Sequence, residues 1–376
     1  MGYVAVQGGK QAIQFANYLA EWERIRAGKV LEIATIKATL KPLMDQVMSE
    51  ASLYDEDLAA LAIKQAGGSM EEAVFLLRAH RSTLPRLYYS QTVDSRDMQV
   101  KRRISASFKD IPGGQLLGNA NDYRQRFLNP NLIAETEQDL QDQVQALLDL
   151  MNSDADASQT LMPLDDLPKV VDYLNRHGLI QVADNDDQTP DDITKRAIKF
   201  PASRSQILQS LQRGQTGAVT ALGYARIRQF ATHPNIGELR VGKVPLTINL
   251  AQEDQEADPS EDYYVGAIEE TEVEALFVSD GQNTQGETVQ TLVLGYGLCF
   301  GQNETKTIAM AILDYALTYK NNHATSDDEF VLYHIDTVES TGFISHLKLP
   351  HYVTFQSELE AMRRIEKDKA QQGGDR

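Results

Sequence analysis

The sequence has 376 residues, of which 42% are hydrophobic and 24% charged, and its formal net charge is −18 at pH 7. This length and composition predict a globular protein of about two or three domains. No run of about 18 apolar residues occurs, which excludes a membrane-spanning helix, and the acidic charge argues against binding nucleic acid through charge alone. Cys299 is the only cysteine, so one chain forms neither a disulfide nor a cysteine-based zinc finger. A cytoplasmic protein is the expectation.

The N-terminal part of the chain is predicted to be helical. Residues 11–27 and 35–50 have a helical pattern, and Pro42 is placed to start or kink the second helix. Asp55 can cap a further helix, and Gly67 is placed to end it. The segment Ser69–Glu72 then has the pattern of a capping box.

The middle of the chain combines a loop-rich segment with further helices. Residues 84–130 are rich in Pro, Gly and polar residues, and so long a loop is usually functional or part of an interface. Residues 135–151 carry one apolar helical stripe, a short helical unit ends near Gly178, and residues 204–230 are again predicted to be helical.

After residue 233 the hydrophobic pattern becomes that of strands. Residues 237–250 and 272–279 alternate or carry β-branched side chains, and residues 291–300 form a continuous apolar run typical of a buried strand. This run leads into a helix for which Asn303 is the expected N-cap.

Two further elements complete the predicted organisation. Residues 328–336 are predicted to be a strand, and the Ser357–Glu360 segment to cap a terminal helix. The whole pattern predicts an α+β chain with a helical N-terminal half and a mixed α/β, sheet-containing C-terminal half. The predicted divisions are 1–130, mainly helical with a basic loop, 131–232, helical, and 233–376, α+β.

The motif HLKLPHY places His346 and His351 five positions apart with Pro350 between them. Zinc ligands must converge on one point, and a bend at the proline could bring both rings to the same side. Two ligands are too few for a stable site, so a third would come from His334, an acidic residue or another chain. The alternative is two polar residues in a surface loop.

A glycine-bearing turn occurs in residues 294–306, LGYGLCFGQNETK. A strand, a turn and a helix start together expose backbone amides that suit an anion, although Glu304 in the first helical turn opposes one. The alternative, glycines that permit tight strand–helix packing, has equal support.

Residues 101–127 are the most basic segment, whereas residues 253–274 carry ten Asp or Glu and are expected to be exposed or to face a partner. Arginine forks match phosphate oxygens, and glycines let backbone amides approach a ligand, so the basic segment suits a triphosphate. The alternative is a basic loop docked on an acidic partner. The candidate binding residues are Lys101, Arg102, Arg103, Lys109, Gly113, Gly114 and Arg124.

Five long segments together resemble one family, the I subunit of the bacterial carbon–phosphorus lyase core complex. They are residues 52–86, 102–118 (RRISASFKDIPGGQLLG), 216–242, 296–314 (YGLCFGQNETKTIAMAILD) and 338–359, which contains HLKLPHY. The resemblance therefore covers nearly the whole chain.

The resemblance implies a transferase that displaces adenine from ATP with an alkylphosphonate, giving ribose 1-alkylphosphonate 5-triphosphate. Alone, such a subunit acts as a nucleosidase on purine nucleoside triphosphates. The resemblance also implies assembly with G, H and J subunits, self-association at the centre of the complex, and an ATP-binding-cassette subunit as a further partner. The alternative is a non-catalytic scaffold of the same complex.

The resemblance also implies which residues bind metal. The two histidines of HLKLPHY, His346 and His351, would bind zinc together with ligands from the J subunit. It assigns no catalytic acid, and Glu304 and Asp110 are candidates from motif context alone.

Overall fold

The computed structural model of the chain describes residues 8–109, 111, 113–124, 126–153, 167–180, 189–230, 233–250, 261–282, 288–348 and 354–373. Contacts divide the chain into two compact units, each assembled from separate stretches of sequence. The first unit comprises Met1–Arg86, Asp187–Ala231 and Cys299–Arg376, and the second comprises Leu87–Asp186 and Thr232–Leu298. The boundaries drawn from sequence near residues 130 and 232 stay a prediction.

The first unit begins with five helices. They are α1 (Gly9–Ile25), α2 (Ile33–Thr39), α3 (Lys41–Ala51), α4 (Glu56–Gln65) and α5 (Met70–Thr83). Pro42 lies in the first turn of α3, where its missing N–H costs nothing, and the Asp55 side chain accepts a hydrogen bond from Leu58 N at 2.8 Å. Ser69 is the N-cap of α5 without a capping side-chain hydrogen bond. Buried apolar side chains of α2 to α5, such as Ile36, Met48 and Ile63, form the core of this helical group.

The first unit has six further helices, of which the first four, together with Cys299 and the residue that follows the fourth, form a second core. They are α8 (Arg204–Arg213), α9 (Thr216–Phe230), α10 (Glu304–Thr318), α11 (Asp328–His334), α12 (Thr337–His346) and α13 (Thr354–Gly373). The helix predicted over residues 204–230 is therefore two helices, with a break at Gly214 and Gln215. The predicted start of the last helix at Ser357 is wrong, because α13 already begins at Thr354.

The strand predicted over residues 328–336 is also wrong, since these residues form α11 and its C-terminal end. The side chain of Asp327 accepts a hydrogen bond from Phe330 N at 2.9 Å and caps the helix. Val331, Leu332 and Ile335 then pack together into one core at helical spacing. Capping and burial outweigh the strand preference of this β-branched and aromatic segment.

The second unit is built on a four-stranded sheet with the order β1-β2-β3-β4. The strands are β1 (Gln99–Ile104), β2 (Asn235–Asn249), β3 (Asp262–Gln282) and β4 (Thr288–Phe300), and the last two residues of β4 belong to the first unit. β2 pairs antiparallel with both β1 and β3, and β1 has a bulge between Val100 and Arg102. The helices of this part are α6 (Glu137–Ser153) and α7 (Val170–Arg176). Strand β1 lies in the segment that the sequence predicted to be loop.

The described residues thus contain thirteen α-helices and four strands, with five helices before the first strand. The predicted α+β class with a helical N-terminal half is confirmed. None of the helices in these described ranges has both the length and the apolar character that crossing a bilayer requires.

Candidate functional site

One face of the sheet in the second unit carries a row of buried charges. The strand register places Arg103 of β1 opposite Arg240 of β2, and Arg240 opposite Glu272 of β3. Directly opposite residues share a face, as do residues two positions apart on one strand. We call the following set the charge cluster: Arg103, Lys169, Glu238, Arg240, Glu270, Glu272, Glu274 and Tyr296.

The cluster begins with an ion pair that is shielded from solvent. Arg103 Nε donates to Glu238 Oε1, and the two side chains are 0% and 2% exposed. Glu238 Oε2 also accepts from Val170 N at 3.0 Å, and Arg103 Nη2 donates to Pro168 O at 2.8 Å. The pair therefore fixes the first turn of α7 against the sheet.

A second group of ion pairs surrounds Glu272. Lys169 Nζ lies 3.0 Å from Glu272 Oε1 and also pairs with Glu274, while Arg240 Nε donates to Glu272 Oε2 at 3.0 Å. Tyr296 Oη donates to Glu272 Oε1 at 3.1 Å. Burial opposes ionisation of Glu272, but the charges of Arg240 and Lys169 outweigh it and hold its pKa below the ordinary value.

Two other carboxyl groups of the cluster have pKa values above the ordinary value. Burial, assisted by the nearby charge of Glu272, raises the pKa of Glu270 to about 7, and burial likewise raises the pKa of Glu274 to about 7. Glu274 Oε2 has no hydrogen-bond partner among the described residues, and Glu270 has no ion pair with any of them. Carboxyl groups that titrate near neutral pH can give or accept a proton there.

Replacing Glu270 with glutamine should stabilise the protein at neutral and alkaline pH. A carboxyl group whose pKa is higher in the folded state contributes its full stability below about pH 4.5 and loses it as the pH rises through about 7. Glutamine does not ionise, so the variant should gain roughly 3 kcal/mol over wild type across this window. Urea unfolding at several pH values measures the gain.

The matched control for this prediction is Glu272→Gln, which removes an ionised partner of Arg240 and Lys169. That variant should be less stable than wild type throughout the same pH range. A Glu270→Gln variant whose stability relative to wild type does not change with pH would contradict a raised pKa at this position.

The basic residues predicted to bind a triphosphate divide into two groups. Arg102 and Arg103 are buried, and Arg102 pairs with Asp122 and lies over the Tyr123 ring at 5.7 Å. The exposed members are Lys101, which pairs with Glu269, and Lys109 and Arg124, which form no ion pair with a described residue.

The two glycines of this segment also differ. Both have a φ of +82°, but a Cβ at Gly113 would lie 1.9 Å from Leu167 Cδ2, whereas a Cβ at Gly114 would meet no atom within 4 Å. A Cβ at Gly113 would therefore displace the Leu167 side chain, whereas the space beside Gly114 is open. Asp110, a candidate catalytic acid, lies outside the described residues.

The acidic segment 253–274 is described from residue 261 onward, where Glu261 and Asp262 are exposed as expected but the later acids are not. Glu269, Glu270, Glu272 and Glu274 of β3 are buried, because the strand lies inside the sheet. Three of them pair with cations of the same unit, as shown above for Glu269, Glu272 and Glu274. The expectation of an exposed or partner-facing block is wrong for these residues.

The glycine-bearing turn before α10, in the first unit, already has an anion beside it. Gln302 N donates to Asp45 Oδ2 at 3.1 Å, and Asn303 Nδ2 donates to Asp45 O at 3.1 Å. Glu304 accepts a hydrogen bond from Gln302 Nε2 at 2.9 Å. Asn303 is the N-cap of α10, but its side chain does not cap the helix. The anion at this turn is thus a carboxylate of α3.

The next turn of α10 contains a buried lysine. Lys306 Nζ donates to Gln212 O at 2.6 Å and to Ser49 Oγ at 3.1 Å. Burial lowers the pKa of Lys306, because its ammonium group lies among neutral acceptors. The lysine joins α3 and the end of α8 to α10.

The predicted metal ligands lie at or beyond the end of α12. His346 is the last residue of that helix and is half-buried, while His351 lies outside the described residues. His334 ends α11, where its Nδ1 is 2.7 Å from Phe330 O. Within the described ranges, no three His, Cys, Asp or Glu side chains are arranged to hold a metal. The histidine pair stays a prediction.

The charge cluster is the feature that sequence reasoning missed. Its signal is present in the sequence, because Glu238 and Arg240 alternate, as do Glu270, Glu272 and Glu274, at the two-residue period of a strand. Charges at that period on a strand normally indicate a solvated face. Only the burial of both partners distinguishes this row from such a face.

Comparisons with known proteins cover almost the entire chain. The sequence model of the family described as "Bacterial phosphonate metabolism protein (PhnI)" matches residues 2–369. A Stutzerimonas stutzeri protein named "Putative C-P lyase subunit protein HtxH" is 42% identical over 378 residues, covering 98% of this chain and 97% of that protein.

Two similar relatives are both named "Alpha-D-ribose 1-methylphosphonate 5-triphosphate synthase subunit PhnI". The Rhizobium meliloti protein (strain 1021) is 40% identical over 390 residues, covering 99% of this chain and 97% of its own. The Escherichia coli protein (strain K12) is 40% identical over 376 residues, covering 98% of this chain and 99% of its own. The chain belongs to the PhnI family of bacterial phosphonate metabolism proteins.

Proposed function

We propose that this chain is the base-displacing subunit of a carbon–phosphorus lyase complex, a ribose 1-alkylphosphonate 5-triphosphate synthase. The observation that carries the proposal is 40% identity over nearly the full length to two relatives named as subunits of such a synthase. Its partners in this proposal are the G, H and J subunits, a second copy of the chain at the centre, and an ATP-binding-cassette subunit.

In the proposed reaction an oxygen of the alkylphosphonate attacks C1′ of ATP, the C1′–N9 bond breaks, and its electron pair leaves with adenine. Water takes the place of the phosphonate in the nucleosidase reaction of the chain alone. The departing base needs a proton, and the ribose carbon needs nearby negative charge. Glu270 suits the proton donor, because it is buried, pairs with no described cation and has a pKa of about 7.

The triphosphate is proposed to bind Lys109 and Arg124, the exposed cations of the basic segment that form no ion pair with a described residue; Lys101 is also exposed, but it pairs with the buried Glu269. Arg102 and Arg103 were also candidates, but both are buried: Arg102 pairs with the exposed Asp122, and turning Arg103 toward a ligand would take this partner from the buried Glu238. A buried charge without its partner is costly. Their support for binding is therefore indirect, through holding β1 in the sheet.

The test of this function is release of adenine from ATP by the purified chain, followed by chromatography. The Lys109→Ala/Arg124→Ala variant should raise KM without unfolding the protein, and Arg96→Ala, on an exposed cation of the same unit, should leave KM unchanged. Glu270→Gln should lower kcat while keeping the fold. No adenine from the wild-type chain, alone or with its partners, would favour the scaffold alternative.

Zinc is proposed to bind at the interface with the J subunit through His346 and His351. Imidazole nitrogens are common zinc ligands, and ligands from a second chain would complete a four-coordinate site. Either His346→Ala or His351→Ala should reduce zinc in the purified complex, measured by elemental analysis. His334→Ala is the matched control, since His334 is engaged with its own helix. Unchanged zinc in both single variants would refute this site.

A further inference from the structure

Helix α6 has an apolar face that no part of the described chain covers. Leu140, Val144, Leu147 and Met151 are spaced four, three and four residues apart, which places them on one side of the helix. They are between 49% and 69% exposed, and none of the described residues in 137–152 is buried.

Further exposed apolar side chains precede the helix in the sequence. Phe127, Leu128 and Ile133 are each more than 80% exposed. A helix of this length is marginal in water unless its apolar face packs on something. A row of exposed apolar side chains along one helix face, in a chain of ordinary composition, indicates an interaction site.

The charges around this face identify the kind of partner. The described residues 127–153 contain no Lys or Arg but five Asp or Glu. The acidic residues of α6 are Glu137, Asp139, Asp142 and Asp149, and none of them pairs with a described cation. Asp139 instead accepts hydrogen bonds from Thr136, which lower its pKa and keep it ionised.

We infer that α6 docks in an apolar groove rimmed by Lys or Arg on a different partner chain. The same helix of a second copy fits poorly, because two α6 helices would bring carboxylates against carboxylates without any cation from residues 127–153. A helix laid into a groove uses residues at this spacing as anchors, while complementary rim charges orient the partner. The inference rests on the proposed function, which places the chain among partner subunits.

Hydrogen–deuterium exchange tests this interface on the full chain, alone and in the assembly purified with its G, H and J subunits. Amides of 137–153 should exchange rapidly in the isolated chain and slowly in the assembly. Leu147→Glu should weaken assembly by about tenfold or more, because it places a charge in the apolar contact. Gln141→Glu adds the same charge to the same helix outside the apolar row and should assemble normally.

A third arm tests the charge of the partner. Glu137→Lys should slow association at low salt, and raising the salt should weaken wild-type assembly more than assembly of this variant. Equal salt sensitivity of the two would refute the basic rim.

The outcomes separate this inference from the function on which it rests. An intact, active assembly in which α6 stays unprotected overturns the docking surface and leaves the proposed function standing. Protection of 137–153 in the isolated chain, with a dimer that Leu147→Glu dissociates, overturns the choice of a different partner. A wild-type chain that neither assembles with these subunits nor releases adenine overturns both.

Discussion

Replacing Glu238 with alanine should lower the free energy of unfolding by about 3–5 kcal/mol, because it removes one partner of the buried ion pair between Glu238 and the Arg103 guanidinium. Arg103 is 0% exposed at its side chain, so water cannot replace the lost carboxylate without opening the sheet. The same change also removes the acceptor of Val170 N at the start of α7. Chemical denaturation followed by circular dichroism measures the loss.

Two further variants show whether the loss of stability comes from breaking the buried ion pair. Arg96→Ala removes an exposed ion pair with Asp94 in the same unit and should not shift the transition, because exposed pairs contribute little. The double variant Arg103→Met/Glu238→Leu removes both charges and should recover much of the stability. A double variant as unstable as Glu238→Ala would show that packing, rather than charge, determines the loss.

Replacing Gly301 with alanine should lower the free energy of unfolding by about 3 kcal/mol. The glycine has a φ of +67°, which L-residues adopt at a cost of about 1–2 kcal/mol. Its new Cβ would also lie 2.5 Å from Cβ of Asp45, whose position is held by hydrogen bonds from the same turn. Overpacking of this kind typically adds about 1–3 kcal/mol.

Gly67→Ala is the control that separates these two costs. Gly67 has a φ of +60° in the same unit, but a Cβ there meets no atom within 4 Å. The Gly67→Ala variant should therefore lose only the stability that the positive φ costs, about 1 kcal/mol. Equal losses of stability in the two variants would mean that Asp45 moves aside and that the turn does not depend on the close approach of Gly301 to Asp45.

Local rules in the sequence predicted the local features of the fold. Pro42 begins a helix and Asp55 caps one, because each acts within a single turn of its own position. The same approach failed for residues 328–336. Their residue types favour a strand, whereas the cap at Asp327 and the core around Val331 favour a helix. Strand β1 was missed because its pairing with β2 lies more than a hundred residues away.

The candidate site shows the same contrast between features set by neighbouring residues and features set by residues far apart in sequence. Sequence reasoning selected Arg103 for its charge and took it as a ligand-binding residue, whereas its carboxylate partner is 135 positions away. Sequence composition gave no means to separate it from Lys109 or Arg124, because all three are cations in one loop-rich segment. Burial and pairing separate them in the folded chain.

The sequence by itself determined the family, the α+β class and the helices whose caps are encoded next to them. These properties depend on residue identity and on short spacing, which a single chain displays directly. The tertiary structure alone decided which charges are buried and which cations remain exposed. It also decided that Asp45 accepts a hydrogen bond from the glycine-bearing turn. Burial and ion pairing depend on distances between residues far apart in sequence, and those distances exist only after the chain has folded.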